Sequence, residues 1–169
     1  MKLFKNLLLA SVLLFGAMTV NAQSKVAHIN TDELVAAMPE TIQMQEELKK
    51  VVQAYQADFK EQTTALQTKM KKYDQEAPTQ TDAENQKRLQ EVQELQQKLR
   101  MYQQTAQEEM QKKEYDLYKP IAEKAQKAIE EVAAAKGIEY VFDSTPGKGL
   151  VIDNGLDLMA DVKAKLGIK

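Results

Sequence analysis

Two long amphipathic segments separated by a short polar turn dominate this sequence. In the first segment, apolar residues recur at spacings of three, four or seven, at Leu48, Val52, Tyr55, Phe59, Leu66 and Tyr73. The second segment continues the same spacing at Leu89, Val92, Leu95, Leu99, Tyr102 and Ala106. Such stripes are typical of helices that pack against a single partner. The turn between them, from Glu76 to Asp82, contains Pro78 and short polar residues that favour a bend.

The two helices are therefore predicted to fold back on each other as an antiparallel coiled coil over residues 41–119. At ~1.5 Å per residue the first helix alone would be roughly 50 Å long, too long for a compact globule of this size. The hairpin should therefore project as an arm. Its second helix is predicted to continue to Gly137, because glycine commonly ends helices.

Pro120 lies inside this second helix. A proline in a helix interior removes one backbone donor and crowds the preceding turn, at a cost of ~3 kcal/mol unless the helix bends. We predict a kink at Pro120, which would act as a hinge where the arm meets the rest of the protein. A helix that simply starts near Tyr118 is the alternative.

Residues 23–40 and 120–169 are predicted to form a small β body. In the first part, Lys25 to Asn30 should form a strand, Thr31 should cap a short helix ending near Met38, and Thr41 should cap the next helix. In the second part, the apolar runs Ile138–Asp143 and Leu150–Ile152 flank a turn rich in Pro and Gly, which predicts a β-hairpin. Asp157 should cap a last helix. A three-stranded sheet of this size leaves its edges open, so the body is a candidate oligomerisation unit.

The N-terminus has the features of a secretory signal peptide. Lys2 and Lys5 precede an uncharged apolar stretch, and the small residues before Gln23 predict cleavage after Ala22. The apolar stretch is shorter than the roughly 20 residues that a membrane span needs, so the mature protein is expected to be soluble, without stable membrane insertion, in the periplasm. Cleavage would leave 147 of the 169 residues and change the formal net charge from -2 to -4.

Composition and motifs argue against several classes of function. The acidic balance does not favour nucleic acid as a partner, because phosphate binding needs a concentrated basic surface. His28 is the only histidine and the chain has no cysteine, so no metal-ligand spacing is present. The sequence Gly147-Lys148-Gly149 lacks the other residues of a phosphate-binding loop. No nucleophile and base are positioned together, so we expect neither an enzyme nor a cofactor.

The order of these segments resembles the Skp/OmpH-like periplasmic chaperone family over essentially the whole mature chain. The resemblance rests on the first strand, the alanine-rich helix after Pro120, the end strands and the last helix, at Val26–Asn30, Gly137–Asp143, Leu150–Ile152, Asp157, Leu158 and Val162. It implies an α+β fold, mostly α, with a long helical hairpin projecting from a small β body that trimerises. It further implies a homotrimer that holds unfolded outer-membrane proteins, without ATP, in a cavity between three helical arms.

Two groups of residues are candidates for these roles. The expected trimerisation residues are Val26, Ile29, Tyr140, Val141, Phe142, Leu150, Val151 and Ile152. The client-binding candidates on the arm are Met44, Met70, Tyr73, Met101, Tyr102 and Met110, which could instead fill the coiled-coil seam. The arm mixes both charges with a slight acidic excess, which argues against charge-driven capture and against lipopolysaccharide binding. A periplasmic scaffold with one fixed partner is the alternative function.

Overall fold

The computed structural model describes residues 25–168, so the predicted signal peptide and its cleavage site at Ala22 and Gln23 lie outside the described residues. Two long helices and a small three-stranded sheet form the molecule. In chain order the elements are β1 (Val26–Ile29), α1 (Thr31–Ala37), α2 (Pro39–Glu76), a 3₁₀ turn (Ala77–Thr79), α3 (Asp82–Ala135), β2 (Tyr140–Asp143), β3 (Leu156–Asp157) and α4 (Met159–Leu166). This confirms the mostly helical α+β fold class.

Helices α2 and α3 form the predicted antiparallel hairpin. Helix α2 ends at Glu76 and α3 begins at Asp82, after Thr81, whose side chain accepts a hydrogen bond from the backbone of Glu84 at 3.2 Å. Side chains far apart in sequence meet across the pair, such as Glu47 with Lys113 near the body and Glu76 with Arg88 near the turn. The turn and the direction of the two helices were thus both predictable from local signals.

Helix α3 runs without a break through Pro120 to Ala135, so the alternative of a helix start near Tyr118 is wrong. The helix ends as expected, because Gly137 adopts a left-handed conformation with φ 68° that other residues rarely take. The hinge at Pro120 stays a prediction, as does the division of the chain into arm and body near residues 40 and 120.

The predicted caps of α1 and α2 are wrong. Asn30, not Thr31, caps α1, since its side chain accepts a hydrogen bond from the backbone of Glu33 at 3.0 Å. Helix α2 begins at Pro39. Proline fits this position because N–H groups in the first turn of a helix make no hydrogen bond within the helix. The hydroxyl of Thr41 instead donates to the carbonyl of Val35 at 2.5 Å and ties α2 to α1.

The predicted β-hairpin is also wrong. Strand β1 lies in the centre of the sheet, with β2 on one side and β3 on the other, and both pair with it in parallel. A chain that leaves the end of β2 must return past the sheet before it can enter β3 in the same direction. Residues 144–155 make this return, so Leu150–Ile152 forms no strand, and Val151 and Ile152 are 93% and 70% exposed.

One face of the sheet packs against helices and forms the core. The buried apolar residues come from β1, α1, the last part of α3, α4 and the residues next to these elements. They are Ala27, Ile29, Leu34, Met38, Ile121, Ala125, Ala128, Val132, Ala133, Ile138, Leu158 and Val162. Helix α4 starts at Met159, whose backbone N–H donates to the carboxylate of Asp157 at 2.8 Å. The predicted Asp157 cap is therefore displaced by one residue, because Leu158 occupies the cap position and Asp157 only contacts the first turn.

Candidate binding surfaces on the arm and the body

The arm has no buried core along most of its length. Among the described residues from 42 to 120, no side chain is buried, and even the seam residues remain partly exposed. Thr41 and Ile121, at the base of the arm, are the first buried side chains beyond this stretch. The arm side chains are not buried because two helices cover only one side of each other. An isolated arm therefore keeps apolar surface in contact with water.

Polar contacts across the seam fix the register of the two arm helices. The hydroxyl of Tyr73 donates to Glu91 at 2.5 Å, and the hydroxyl of Tyr102 donates to Asp58 at 3.3 Å. Tyr55 donates to Glu109, and this hydrogen bond raises the pKa of Tyr55. Each pair joins α2 to α3, so a shift of one helix along the other would break all three.

The structure separates the predicted client-binding residues into two groups. Four of them are half-buried between the arm helices or near the body, namely Met44, Tyr73, Tyr102 and Met110. Met70 and Met101 are instead 37% and 59% exposed. Of the six, these two are the most accessible to a partner, and Met101 more so than Met70.

Other large apolar residues of the arm are more exposed than most of the predicted ones. Tyr115 and Tyr118 are 63% and 43% exposed, and Ile42, Val52 and Leu89 are also exposed. Fourteen residues, nearly four helical turns, separate Met101 from Tyr115, so both lie on one face of α3. We call Met101, Tyr115 and Tyr118 the outer stripe. The continuation of the seam through Met110 could have revealed from sequence alone that Tyr115 faces outward.

A cleft at the base of the arm lies next to one end of the outer stripe. Tyr118, Ala122 and Ile129 of α3 line it together with Val35 of α1 and Val141 of β2, and its volume is about 620 Å³. Most of these side chains are apolar, while Glu130 and Glu139 supply acidic groups. Tyr118 therefore belongs to both the outer stripe and the cleft, while Met101 and Tyr115 are separate apolar contacts further along the helix.

The second face of the sheet carries exposed apolar side chains. Residues paired in register on parallel strands share a face, and Val26 is paired with Tyr140 and His28 with Phe142. On this outer face Val26 is 41%, Tyr140 62% and Phe142 50% exposed. The predicted trimerisation residue Ile29 is different, because it is 1% exposed in the core of its own chain.

The remaining predicted trimerisation residues are divided in the same way. Val141 is half-buried on the core side of β2, and Leu150 is half-buried in the loop after it.

No helix within residues 25–168 combines the length and the apolar character needed to cross a membrane. In the same residues, no group of three or more potential metal ligands lies together.

The fold is that of a class of proteins in which a helical arm projects from a small sheet-containing body. The sequence matches the family model described as outer membrane protein (OmpH-like) over residues 25–166. The chain therefore belongs to the OmpH-like family, which confirms the resemblance found in the sequence.

A solved structure shows the same fold. It is that of an OmpH-like protein from Caulobacter crescentus, described as a candidate outer membrane chaperone. The two chains superpose with a TM-score of 0.75 at 18% sequence identity, over 84% of this chain and 83% of the other. A search of curated proteins finds no match.

Proposed function

We propose that this protein is an ATP-independent holding chaperone of the periplasm that binds unfolded outer-membrane proteins. The observation that carries the proposal is the apolar surface of the arm, which no other part of the described chain covers. Membership of the OmpH-like family and the description of the Caulobacter crescentus relative support the same role.

The outer stripe and the basal cleft suit a partner without fixed structure. Met101, Tyr115 and Tyr118 are separate apolar contacts on a largely polar helix, so each would bind weakly. Methionine side chains adapt to partners of varied shape. Several weak sites around one client raise the local concentration of binding groups, and the bound state gains affinity without any single strong contact.

The same proposal includes a homotrimer. The outer face of the sheet exposes Val26, Tyr140 and Phe142, and the loop between β2 and β3 exposes Val151 and Ile152. Exposed apolar side chains grouped on one face are typical of protein–protein interfaces. Three copies joined through this face would carry three arms on one body, and the space between the arms would hold the client.

Light scattering by an outer-membrane protein diluted from urea tests the proposal. A stoichiometric excess of this protein should suppress aggregation without ATP. A variant with Met101→Ser, Tyr115→Ser and Tyr118→Ser should protect several-fold less well, since it lacks the outer stripe. Its matched control carries Gln97→Ser, Gln104→Ser and Gln111→Ser on exposed positions of the same helix and should protect normally.

Unchanged aggregation in the presence of the wild-type protein would contradict the holding function. A single stable partner in pull-down experiments, without protection of unfolded chains, would instead support the scaffold alternative. Equal protection by the two triple variants would leave the holding function in place but exclude the outer stripe as its surface.

A further inference from the structure

A second cleft lies at the tip of the arm, far from the basal cleft. Its walls come from the last turns of α2 and the first turns of α3, and its volume is about 310 Å³. Met70, Leu89 and Val92 form apolar walls, and Met70 and Leu89 are 37% and 58% exposed. At ~1.5 Å per residue, the 37 residues from Arg88 to Ala125 place it roughly 55 Å from the body.

Arg88 lines this cleft with hydrogen-bond donors that are not used. Its Nη2 donates to Glu76 at 2.9 Å, and its guanidinium lies 4.7 Å from the centre of the Tyr73 ring. Its Nε lies 3.5 Å from a carboxylate oxygen of Glu84 without forming a hydrogen bond. Nε and Nη1 are buried and have no acceptor among the described residues.

Buried donors without an acceptor are rare in folded proteins, and each one raises the free energy of the unbound protein. A partner that brings an acceptor removes this penalty, so the tip favours a ligand with an exposed oxygen. Reaching Nη1 requires side chains in the cleft wall to move. Met70 can supply such movement because methionine is unbranched and has several rotatable bonds.

The charges around the cleft indicate which acceptor fits. Arg88 already faces Glu76 and Glu84, and Asp74 also lines the cleft. Lys72 lies 3.9 Å from Glu76, so Arg88 and Lys72 face three carboxylates. A further full negative charge would add to this acidic excess, so a free carboxylate or a phosphate is disfavoured. A main-chain carbonyl provides an acceptor without a charge. The small volume fits a short stretch of chain and not a whole folded partner.

We propose that the arm tip binds an extended, uncharged segment of apolar peptide, which packs one large side chain against Met70 and Leu89 and presents one main-chain carbonyl to Arg88. The inference rests on the proposed holding function for the source of this peptide, an unfolded client chain. It adds a site at the far end of each arm, separate from the outer stripe and the basal cleft. An unfolded chain would meet this site before it enters the space between the arms.

Fluorescence anisotropy with the full-length mature protein tests the site. The probe is a fluorescein-labelled peptide of three Gly-Phe-Gly-Ser repeats with both ends blocked. Met70→Ser with Leu89→Ser should weaken binding about tenfold, because both apolar walls are lost. Arg88→Lys keeps the charge but loses the fork of donors, and it should weaken binding about fivefold. Gln75→Ser with Gln86→Ser, exposed residues outside the cleft, is the matched control and should bind like the wild type.

Four outcomes would overturn the inference. The first is equal binding by the wild type and the double cleft variant. The second is equal binding by the wild type and Arg88→Lys. This comparison still tests the tip site if circular dichroism shows that the double variant has lost helix. The third is tenfold tighter binding of the same peptide with a free C-terminal carboxylate, which would assign the cleft to an anion. The fourth is a lower native mass in the double variant, which would assign it to a contact between copies of this chain.

The failure of this inference can be distinguished from the failure of the proposed function. If the wild-type protein prevents aggregation while the cleft variants bind the peptide normally, only the tip site is wrong. If the wild-type protein binds the peptide through Arg88 but does not prevent aggregation, only the holding function is wrong.

Discussion

Asp143 joins the end of β2 to the start of α1. Its carboxylate accepts hydrogen bonds from the hydroxyl of Thr31 at 2.6 Å and from the backbone of Thr145 at 2.9 Å, and Lys148 forms an ion pair with it at 3.0 Å. Burial alone would raise the pKa of Asp143, but the hydrogen bonds from Thr31, Thr145 and Lys148 outweigh it and hold this pKa well below its usual range. The ionised carboxylate therefore stabilises the folded body.

Asp143→Asn should lower the free energy of unfolding by ~1–3 kcal/mol at neutral pH, because it removes the charge that these donors face. Urea unfolding followed by circular dichroism would measure the change. Since the folded pKa is depressed, the contribution of Asp143 is present above the usual aspartate pKa of 3.8 and is lost as the pH falls below it. The difference between variant and wild type should therefore shrink below about pH 4. Asp153→Asn, in the exposed loop, is the control, and a constant difference at all pH values would contradict the prediction.

The same residues show why individual side-chain roles were only partly predictable from the sequence. Thr31 has the chemistry of a helix cap and stands next to a helix, so a cap was the natural prediction. The structure shows that its hydroxyl binds Asp143, which lies 112 residues later in the chain. A pairing over that separation leaves no local pattern, whereas the Thr81 cap acts within its own turn.

At the scale of elements, the helical hairpin and the first two strands were predictable, but the third strand and the pairing of the strands were not. The two long helices follow from a local apolar repeat, a turn and a glycine stop at Gly137, all of which are visible within a few residues. The sheet joins β1 to strands more than a hundred residues away, and the parallel pairing of β3 has no local signature. The apolar run Leu150–Ile152 looked like a strand, but in this chain it is an exposed loop.

Pro120 is the element-scale feature whose role can be tested most directly. It has no N–H group to donate to the carbonyl of Asp116, one turn earlier in α3. Pro120→Ala should restore this hydrogen bond and stabilise the helix locally by up to ~3 kcal/mol, the usual penalty of a proline in a helix interior. Amide hydrogen exchange over residues 116–124 should become slower.

Pro39→Ala is the matched control for this experiment. Pro39 occupies the first turn of α2, where a missing N–H group costs little, so exchange there should not become slower. A hinge at Pro120 also predicts that, in the wild-type protein, the amides of residues 116–119 exchange faster than those of residues 100–110 of the same helix. Equal exchange rates in these two segments would exclude the hinge.

At the scale of the whole molecule, the two faces of the sheet differ in how their apolar side chains are covered. Helices α1, α3 and α4 bury one face of the sheet, while the other face exposes Tyr140 and Phe142. The sequence indicated that such a small sheet needs a partner, and the family resemblance indicated a trimer. Which side chains point outward depends on the sheet register, and that register was not predictable once the hairpin was assigned wrongly.

Tyr140→Ser with Phe142→Ser should convert the proposed trimer into monomers. These side chains are 62% and 50% exposed, so their loss removes apolar contact between copies without opening a cavity in the core of one chain. Gel filtration with light scattering should show the mass fall from three chains to one. Circular dichroism should show unchanged helix content, because the contacts that hold α2 to α3 lie within a single chain.

Ile42→Ser with Met101→Ser removes two exposed apolar side chains from the arm instead, and this control should keep the mass of three chains. A monomeric mass for the wild-type protein would contradict the trimer at once, and an unchanged mass for the double body variant would exclude the outer sheet face as its interface. At equal chain concentration, the monomeric variant should also protect less well against aggregation than the trimer, although the number of arms is the same. Three weak arms on one body act at a high local concentration, and three separate arms do not.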